Sequence, residues 1–444
     1  MNWLLPEGSS LQFEGLEQPL LIEQGLGGGS QGQVYAVKLA GERLALKWYF
    51  PACIARDPQL RSRLQQSIRL GAPNADFLWP LAVLSASADS QRLIQGPQTG
   101  FGYLMGLRPG GFVGAHQHAG GELEISLQSV LRACFHLAEA FHQLHLKGLC
   151  YKDISLGNLF LEHSSGRILI CDNDNVDIDG QGQGSVLGTP GFMAPEVLLG
   201  QARPSTGSDL FSLAVLLFRL LTRHDPFRGQ RELAIRCLDE PARRRIYGEG
   251  ALFIFDPHNP ANRPDPIEHS AALITWPIYP EALQRLFVQS FGPGLRNPEQ
   301  RTLTGQWKQA ISHCLDQRQL CGHCGQETFP NPEGPGSCWS CGTPLPAALQ
   351  LQLPHGRVTA AAGNELHPHH FDPLLGEAIA TPLARLVAHP SDPSLLGLQN
   401  LTSSTWHGST RTGQHIELAP GKTCNLSALQ QLNSSAGPIL VLRP

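Results

Sequence analysis

The most informative stretch of this 444-residue sequence lies at residues 151–160 and reads YKDISLGNLF. It contains Asp153 and Asn158, and Asp172 follows a short apolar run further along the chain. Asn and Asp supply hard oxygen ligands that suit Mg²⁺ held against nucleotide phosphates, and Asp153 is placed to accept the proton of an incoming hydroxyl. Taken alone, each of these acids is better explained as a turn residue or a helix cap. Their order and spacing together predict a site for phosphoryl transfer.

A glycine-rich segment lies upstream, at Leu26–Tyr35. It fits the pattern G-x-G-x-x-G-x-V through Gly27, Gly29, Gly32 and Val34. Glycines are needed where a backbone lays its N–H groups close over phosphate oxygens. A glycine-rich hairpin turn explains the same residues equally well, so this segment alone leaves both interpretations open.

The residues after the glycines predict two strands, Gln33–Lys38 and Leu44–Lys47, joined by a turn at Gly41. A dinucleotide-binding fold would place a helix there instead. Lys47 ends the second strand among apolar neighbours, so we expect it to face the glycine segment and to neutralise nucleotide phosphates. A solvated edge lysine is the alternative, and it explains Lys38 better.

Three further motifs follow in the chain. Residues 188–196 read GTPGFMAPE, residues 208–213 read SDLFSL, and residues 224–227 read HDPF. With these motifs in order, the chain resembles a eukaryotic-type protein kinase over residues 20–315. The resemblance pairs Arg301 with Glu196 and implies an α+β, bilobal protein kinase fold. It also implies a serine/threonine kinase that transfers the γ-phosphate of ATP to a protein hydroxyl.

The resemblance implies a role for each matching position. ATP would be bound by ten residues, namely Leu26, Gly27, Gly29, Gly32, Val34, Ala45, Lys47, Met105, Leu107 and Phe160. Asp153 is the implied catalytic base, with Lys47, Lys152 and Ser155 as further catalytic positions. Asn158 and Asp172 are the implied Mg²⁺ ligands.

The catalytic segment departs from the family pattern at three places. Tyr151 and Lys152 stand where the family has His and Arg, and lysine is a poorer bidentate partner for a phosphorylated residue. Ser155 stands where serine/threonine kinases carry a lysine. A phosphate on Ser185, in the loop before Thr189, could order that loop against Lys152. A loop that needs no phosphate explains the same residues equally well, so both interpretations stay open.

The partner of Lys47 is a second departure. The helix predicted at residues 58–70 contains no glutamate. Gln66 could hydrogen-bond Lys47 but brings no charge, so the usual ion pair is either absent or supplied elsewhere in the chain. Asn173 and Asp174 replace the Phe and Gly of Asp-Phe-Gly, and Asp174 is expected to compete as an Mg²⁺ ligand. These losses raise an alternative function, a nucleotide-binding pseudokinase that acts as a signalling scaffold.

Four cysteines form the pattern C-x₂-C-x₁₃-C-x₂-C, at Cys321, Cys324, Cys338 and Cys341. Two-residue spacing lets a tight turn aim two thiolates at one tetrahedral ion, so the pattern predicts a closed, structural Zn²⁺ ribbon. Nucleic-acid binding through the ribbon is disfavoured, because no lysine lies between Lys308 and Lys422 and the formal net charge is −4.

The C-terminal residues predict a small β-rich, sandwich-like domain. Residues 349–353 alternate as a half-buried strand, whereas residues 439–442 form a continuous apolar run, which predicts a strand buried on both faces. Three nearby histidines could bind a metal, but a polar surface turn explains them better: His367, His369 and His370. The tail also resembles those of bacterial kinases in tellurite-resistance phosphorylation triads. That resemblance implies a von Willebrand factor A protein and a metal-dependent protein phosphatase as partners.

These patterns divide the chain into a kinase domain (1–318), a zinc ribbon (319–345) and a C-terminal β-rich domain (346–444). The longest apolar run, at residues 210–221, is too short to span a bilayer. The first residues lack the features of a signal peptide. We therefore expect a cytoplasmic protein without membrane association.

Overall fold

The computed structural model describes residues 3–94, 100–180, 186–330 and 336–443. The chain divides into two units. The first unit comprises Met1–Glu124, His136–Asp265 and Phe287–Thr304, and the second comprises Ile125–Phe135, Pro266–Leu286 and Gly305–Pro444. Within the described ranges, no helix combines the length and the apolar character needed to cross a bilayer.

An antiparallel six-stranded sheet forms the N-terminal part of the first unit. Its strands are β1 (Ser10–Leu11), β2 (Leu20–Gly28), β3 (Gly32–Leu39), β4 (Glu42–Tyr49), β5 (Ala82–Ser85) and β6 (Phe101–Gly106), in the spatial order β1-β2-β3-β4-β6-β5. The two strands predicted after the glycines are confirmed as β3 and β4. Ala40 and Gly41 make the turn between them with positive φ, and the register sets Val34 opposite Lys47. This pairing brings Lys47 beside the glycine segment.

The helix predicted at residues 58–70 is confirmed, although it begins at Leu60. The helices here are α1 (Pro51–Arg56), α2 (Leu60–Leu70), α3 (Ala88–Gln91) and α4 (Ala115–Ala119). Residues on α2 at three- and four-residue spacing face inward, namely Leu60, Arg63, Leu64 and Ser67. Such spacing is the usual signature of a helix with one buried face.

The next helix, α5, spans Leu127–Leu146, and apolar residues recur along it at three- and four-residue spacing. The remaining helices are α6 (Pro195–Leu198), α7 (Thr206–Thr222), α8 (Gln230–Leu233), α9 (Glu240–Arg243), α10 (Ser270–Thr275), α11 (Glu281–Phe291), α12 (Pro293–Arg296) and α13 (Thr304–Gln317). Ser205 and Ser208 form a capping box at the start of α7, which satisfies backbone N–H groups that have no partner inside the helix. Helix α7 is buried over most of its length and packs Phe218 edge-on against Phe291.

Short strands hold the loops of the site in place. Strands β7 (Phe112–Gly114), β9 (Leu159–Glu162) and β10 (Ile168–Ile170) form one small sheet, and β8 (Leu149–Cys150) pairs with β11 (Asp177–Ile178) in another. Residues 151–158 therefore connect two paired strands, and Asp172 follows β10 directly. Short antiparallel strand pairs therefore fix the positions of both Asp153 and Asp172.

The second unit contains the cysteine ribbon and two further sheets. Strands β12 (Gln319–Leu320) and β13 (Glu327–Thr328) pair in the ribbon. The other strands are β14 (Gln350–Leu353), β15 (Gly356–Thr359), β16 (Glu365–Leu366), β17 (Ala384–His389), β18 (Asp392–Asn400), β19 (Trp406–Thr410), β20 (His415–Leu418), β21 (Thr423–Asn425), β22 (Leu429–Asn433) and β23 (Pro438–Leu442). They form a six-stranded sheet, β15-β14-β23-β22-β19-β20, and a four-stranded sheet, β16-β17-β18-β21. Side chains from both sheets share one apolar cluster around Trp406.

Two predictions for this unit are wrong. Strand β23 is not buried on both faces, because Ile439 and Val441 point into the apolar cluster whereas Leu440 and Leu442 are exposed. Only the inner face of a sheet in a two-layer packing is covered, so an apolar run does not report burial on both sides. The histidines do not form a surface turn either, since His367 and His370 are buried.

Candidate active site

The first unit contains a cavity of about 560 Å³ beside the glycine segment. It is lined by all ten residues to which nucleotide binding is assigned in the sequence, and also by Asp153 and Asp172. Eight further lining residues were not assigned to the site from the sequence, namely Gly28, Ser30, Gln31, Leu78, Gly106, Arg108, Cys171 and Asn175. Of these, Cys171 and Asn175 had a usable signal, because both lie within three residues of Asp172.

The glycine segment folds as a hairpin turn between β2 and β3, closed by a 3.0 Å hydrogen bond from the Gly29 N–H to the Gly32 carbonyl. A Cβ atom at Gly32 would lie 2.2 Å from the carbonyl oxygen of Trp48, so only glycine allows β3 and β4 to approach here. Gly27 and Gly29 instead face open space, with nothing within 4 Å of an added Cβ. Their lack of side chains leaves the turn free to lie close over a ligand in the cavity.

Lys47 is almost fully buried and makes three side-chain contacts. Its Nζ donates to Gln31 at 2.8 Å, to Asp174 at 2.8 Å and to Asp172 at 3.3 Å. Among the described residues, Gln66 makes no bond to Lys47. The charge that the helix lacks is supplied by Asp174, two residues after Asp172.

Asp174 is held between two donors. Its Oδ2 accepts the Lys47 bond and a 2.5 Å hydrogen bond from the Tyr49 hydroxyl, and its side chain has no exposed surface. Asp174 does not line the cavity, and this geometry does not support the expectation that it competes for Mg²⁺. Tyr49 lies two residues after Lys47 on the same strand face, a spacing that the sequence already contained.

The electrostatics of this cluster favour a charged pair. Burial disfavours the charge on Lys47, but the carboxylates of Asp174 and Asp172 outweigh it and hold the pKa of Lys47 above its usual value. Burial also disfavours ionised Asp174, yet Lys47 and Tyr49 keep the pKa of Asp174 below its usual value. For Asp172, burial prevails over the more distant Lys47 and raises the pKa. The ion pair of the cluster is therefore Lys47 with Asp174.

The backbone around Asp172 is arranged by polar contacts. Asp172 adopts a left-handed conformation with φ of 53°, which non-glycine residues rarely take. Asn173, fully buried, donates from Nδ2 to the carbonyls of Leu78 at 2.8 Å and Ile170 at 3.0 Å. The amide of Asn173, which stands where the kinase pattern has Phe, thus anchors the turn that presents Asp172.

Asp153 is held from two sides. Its Oδ1 accepts a 2.6 Å hydrogen bond from the Thr189 hydroxyl, and its Oδ2 accepts one of 3.2 Å from Asn158 Nδ2. The same amide nitrogen also donates to the Asp153 carbonyl at 2.9 Å. Tyr151 is buried nearby, and its hydroxyl donates to the Cys171 carbonyl. These contacts fix the carboxylate at the edge of the cavity.

Lys152 is buried and is not among the described residues that line the cavity. Its Nζ donates to Asp177 Oδ2 at 2.8 Å, and the side chain of Asp177 is only 11% exposed. The predicted phosphate site, Ser185, lies outside the described residues. The ammonium group of Lys152 is therefore already paired with a carboxylate, that of Asp177, without a phosphate on the loop before Thr189. Ser155 is also buried and directly precedes the short turn at Leu156–Asn158, where its backbone carbonyl accepts the Asn158 N–H at 3.3 Å.

Buried polar contacts support the loop at residues 151–158 and the segment that ends at Glu196. Asp209 on α7 accepts the backbone N–H groups of Tyr151 at 2.6 Å and Lys152 at 3.0 Å. The predicted pair between Glu196 and Arg301 is confirmed as a bidentate contact with two 2.8 Å bonds. Bidentate guanidinium–carboxylate pairs are geometrically specific, so this contact fixes the segment that ends at Glu196.

The second unit brings the four ribbon cysteines together. Cys321 and Cys341 Sγ atoms lie 3.7 Å apart, as do those of Cys324 and Cys338. Tetrahedral Zn²⁺ with bonds of about 2.3 Å requires sulfur–sulfur distances of roughly 3.8 Å. The donor set and spacing fit one zinc ion.

The oxygen ligands needed for Mg²⁺ are also present. The side chain of Asp172 is 40% exposed and lines the cavity. Asn158 lies against Asp153 and does not itself line the cavity among the described residues. Carboxylate and amide oxygens are ligands that suit Mg²⁺ beside phosphates.

Comparison with known proteins is consistent with this geometry. Residues 115–272 match the family model of the protein kinase domain. Protein kinase C delta type from Mus musculus is 36% identical over 124 residues, which are 26% of this chain and 18% of that protein. The serine/threonine protein kinase ypkA from Aspergillus fumigatus is 28% identical over 316 residues, covering 62% and 44% respectively. The chain thus spans less than half the length of these relatives. The family match, at residues 115–272, lies within the part of the chain that resembles a protein kinase in sequence.

Proposed function

We propose that this chain is a serine/threonine protein kinase that transfers the γ-phosphate of ATP to a hydroxyl group of a protein substrate. One observation carries the proposal: Asp153, held by Thr189 and Asn158, opens onto the same cavity as Lys47 and Asp172. A proton acceptor, a phosphate-binding cation and a metal-binding carboxylate are the parts that phosphoryl transfer needs.

In this proposal the apolar wall of the cavity binds the adenine of ATP, and the glycine turn covers the phosphates. Val34, Ala45, Met105 and Phe160 supply apolar surface for the adenine, and Leu107 follows the end of β6 as the hinge residue. Lys47, kept charged by Asp174, neutralises phosphate oxygens. Mg²⁺, held by Asp172 and Asn158, would supply charge neutralisation at the β- and γ-phosphates.

Asp153 is the proposed acceptor of the proton from the substrate hydroxyl. The Thr189 bond orients one carboxylate oxygen, while Asn158 occupies the other side and limits rotation. An oriented base within hydrogen-bond reach contributes roughly 10²–10⁴-fold to the rate. Lys152 is assigned to loop positioning, because Asp177 rather than the cavity is its partner.

The cysteine ribbon is proposed to bind one structural Zn²⁺ and to stiffen the second unit or contact a protein. The resemblance to triad kinases leads us to propose a von Willebrand factor A protein and a metal-dependent protein phosphatase as partners, and a cytoplasmic location. The two partner proposals are tested by co-purification of the full chain with each candidate protein. Retention of neither would reject the triad assignment while leaving the kinase proposal intact.

The test of the kinase proposal uses the full chain, labelled ATP, Mg²⁺ and generic protein substrates. Asp153→Asn should lower kcat at least 100-fold with ATP affinity nearly unchanged, because the base acts on the acceptor hydroxyl and not on the nucleotide. Asp256→Asn is the matched control, since Asp256 is also half-buried and accepts backbone N–H groups. If wild type and Asp153→Asn bind ATP but label substrates equally poorly, the pseudokinase scaffold is the correct function.

A further inference from the structure

The glycine turn places one polar side chain directly on Lys47. Gln31 lies between Gly29 and Gly32, and its Oε1 accepts a 2.8 Å hydrogen bond from Lys47 Nζ. Gln31 is half-buried and lines the same cavity as Lys47. The proposed function assigns phosphate binding to Lys47 and gives no role to Gln31.

The three protons of the Lys47 ammonium group are already matched by three acceptors. A lysine ammonium has three N–H donors. In the described part of the chain they face Gln31 at 2.8 Å, Asp174 at 2.8 Å and Asp172 at 3.3 Å. The Lys47 side chain is only 5% exposed. A phosphate oxygen therefore gains a full hydrogen bond from Lys47 only by displacing one of these acceptors.

Of the three acceptors, Gln31 is the one that can leave at the lowest cost. Asp174 has no exposed surface and also accepts the Tyr49 hydroxyl, so moving it away would leave a buried charge without compensation. The turn that presents Asp172 is anchored by the buried side chain of Asn173, which keeps this carboxylate at the cavity wall. Gln31 offers a neutral amide, and a neutral acceptor is held less strongly by an ammonium group than a carboxylate is.

The Gln31 side chain can leave Lys47 while the glycine turn stays in place. The backbone carbonyl of Gln31 accepts the Phe50 N–H at 2.8 Å, which ties this residue to the end of β4. Gly32 pairs with Tyr49 in the same strand ladder. Rotation about the side-chain bonds of Gln31 is therefore enough to break its bond to Lys47, and the half-buried amide can then bond to water.

We propose that Gln31 competes with the polyphosphate chain of the nucleotide for Lys47 and thereby sets the affinity of the cavity for ATP. This competition rests on the proposed function, in which Lys47 binds phosphate. A ligand with a phosphate chain must break the Gln31 bond, whereas a nucleoside has no phosphate to place on Lys47. Gln31 thus acts through Lys47 as a specificity-determining residue for the phosphate part of the ligand.

The experiment measures by calorimetry, with Mg²⁺ present, how tightly the full chain binds ATP, tripolyphosphate and adenosine. Gln31→Met keeps a side chain of similar length and removes the acceptor. ATP and tripolyphosphate should then bind about 3- to 10-fold more tightly, the effect of one modest hydrogen bond, and adenosine should bind unchanged. Gln24→Met is the matched control, because Gln24 is exposed on β2, and it should leave all three affinities unchanged.

Gln31→Glu tests the same competition with the opposite sign. A carboxylate at this position would hold Lys47 with a full charge, so ATP and tripolyphosphate should bind about 10-fold more weakly, and uncharged adenosine should bind unchanged. Weaker or unchanged tripolyphosphate binding in Gln31→Met would overturn the competition, even in an active kinase. Tighter tripolyphosphate binding in Gln31→Met of a chain that labels no substrate would support the competition and reject the proposed kinase activity.

Discussion

Replacing Asp174 by Asn removes the carboxylate that neutralises Lys47 inside the protein. The side chain of Asp174 has no exposed surface and that of Lys47 is 5% exposed, with 2.8 Å between the charged atoms. Asn would keep a hydrogen-bond acceptor for the Tyr49 hydroxyl but would leave the lysine with Asp172 at 3.3 Å as its nearest carboxylate. The substitution therefore tests whether Asp174 acts as a structural counter-ion or as a metal ligand.

The expected loss of stability follows from the burial of the pair. Removing one partner of a buried ion pair typically costs about 3–5 kcal/mol, because the other charge stays buried without compensation. Asp172 and Gln31 remain near Lys47, so we expect the lower end, about 3 kcal/mol. Tyr49→Phe keeps both charges and removes only one hydrogen bond to a charged group, so it should cost about 1.5–3 kcal/mol.

The assay is urea unfolding of the full chain, with hydrogen exchange of β4 reporting on the strand that carries Lys47. With a slope of about 3 kcal/mol per molar urea, the Asp174→Asn midpoint should fall by about 1 M. Asp89→Asn, at an exposed position in the same region, should not move it. An unchanged midpoint combined with a higher Mg²⁺ requirement for ATP turnover would refute the counter-ion role and make Asp174 a metal ligand.

Three other changes should have distinct effects. Cys338→Ser should remove one zinc ion per chain, measured by elemental analysis, while ATP binding measured by calorimetry stays intact; equal zinc content in both proteins would contradict the ribbon. Asp177→Asn leaves Lys152 without its buried partner, so kinase activity should fall several-fold at unchanged ATP affinity; full activity would mean that the pair does not order the loop. Burial raises the pKa of Asp76 to about 6 from the usual 3.8, so its ionisation opposes folding and stability should decline as pH rises from 4 through 6. Asp76→Asn should remove that decline, on the order of 2 kcal/mol, in urea melts across this range, and identical pH profiles would disprove the shift.

Local patterns predicted the secondary structure near the site well. The apolar periodicity of α5 and the turn at Gly41 depend on neighbours within a few residues, so the sequence was enough to find them. The spacing of the four cysteines is also a local pattern, and it was enough to predict that they come together. The outer face of β23 was predicted wrongly because an apolar run specifies a strand but not what covers each of its faces.

The chemical groups of the site could be recognised from the order of Lys47, Asp153, Asn158 and Asp172 along the chain, and the cysteine spacing indicated zinc. How these groups pair with one another depends on the three-dimensional packing. The counter-ion of Lys47 lies 127 positions away at Asp174, and Asp316 meets His370 across 54 positions. Pairings over such distances arise from the packing of whole strands and helices, which no local pattern encodes, and burial then fixes the charge of each group. The same packing placed Asp177 beside Lys152 and buried histidines that composition alone would leave at the surface.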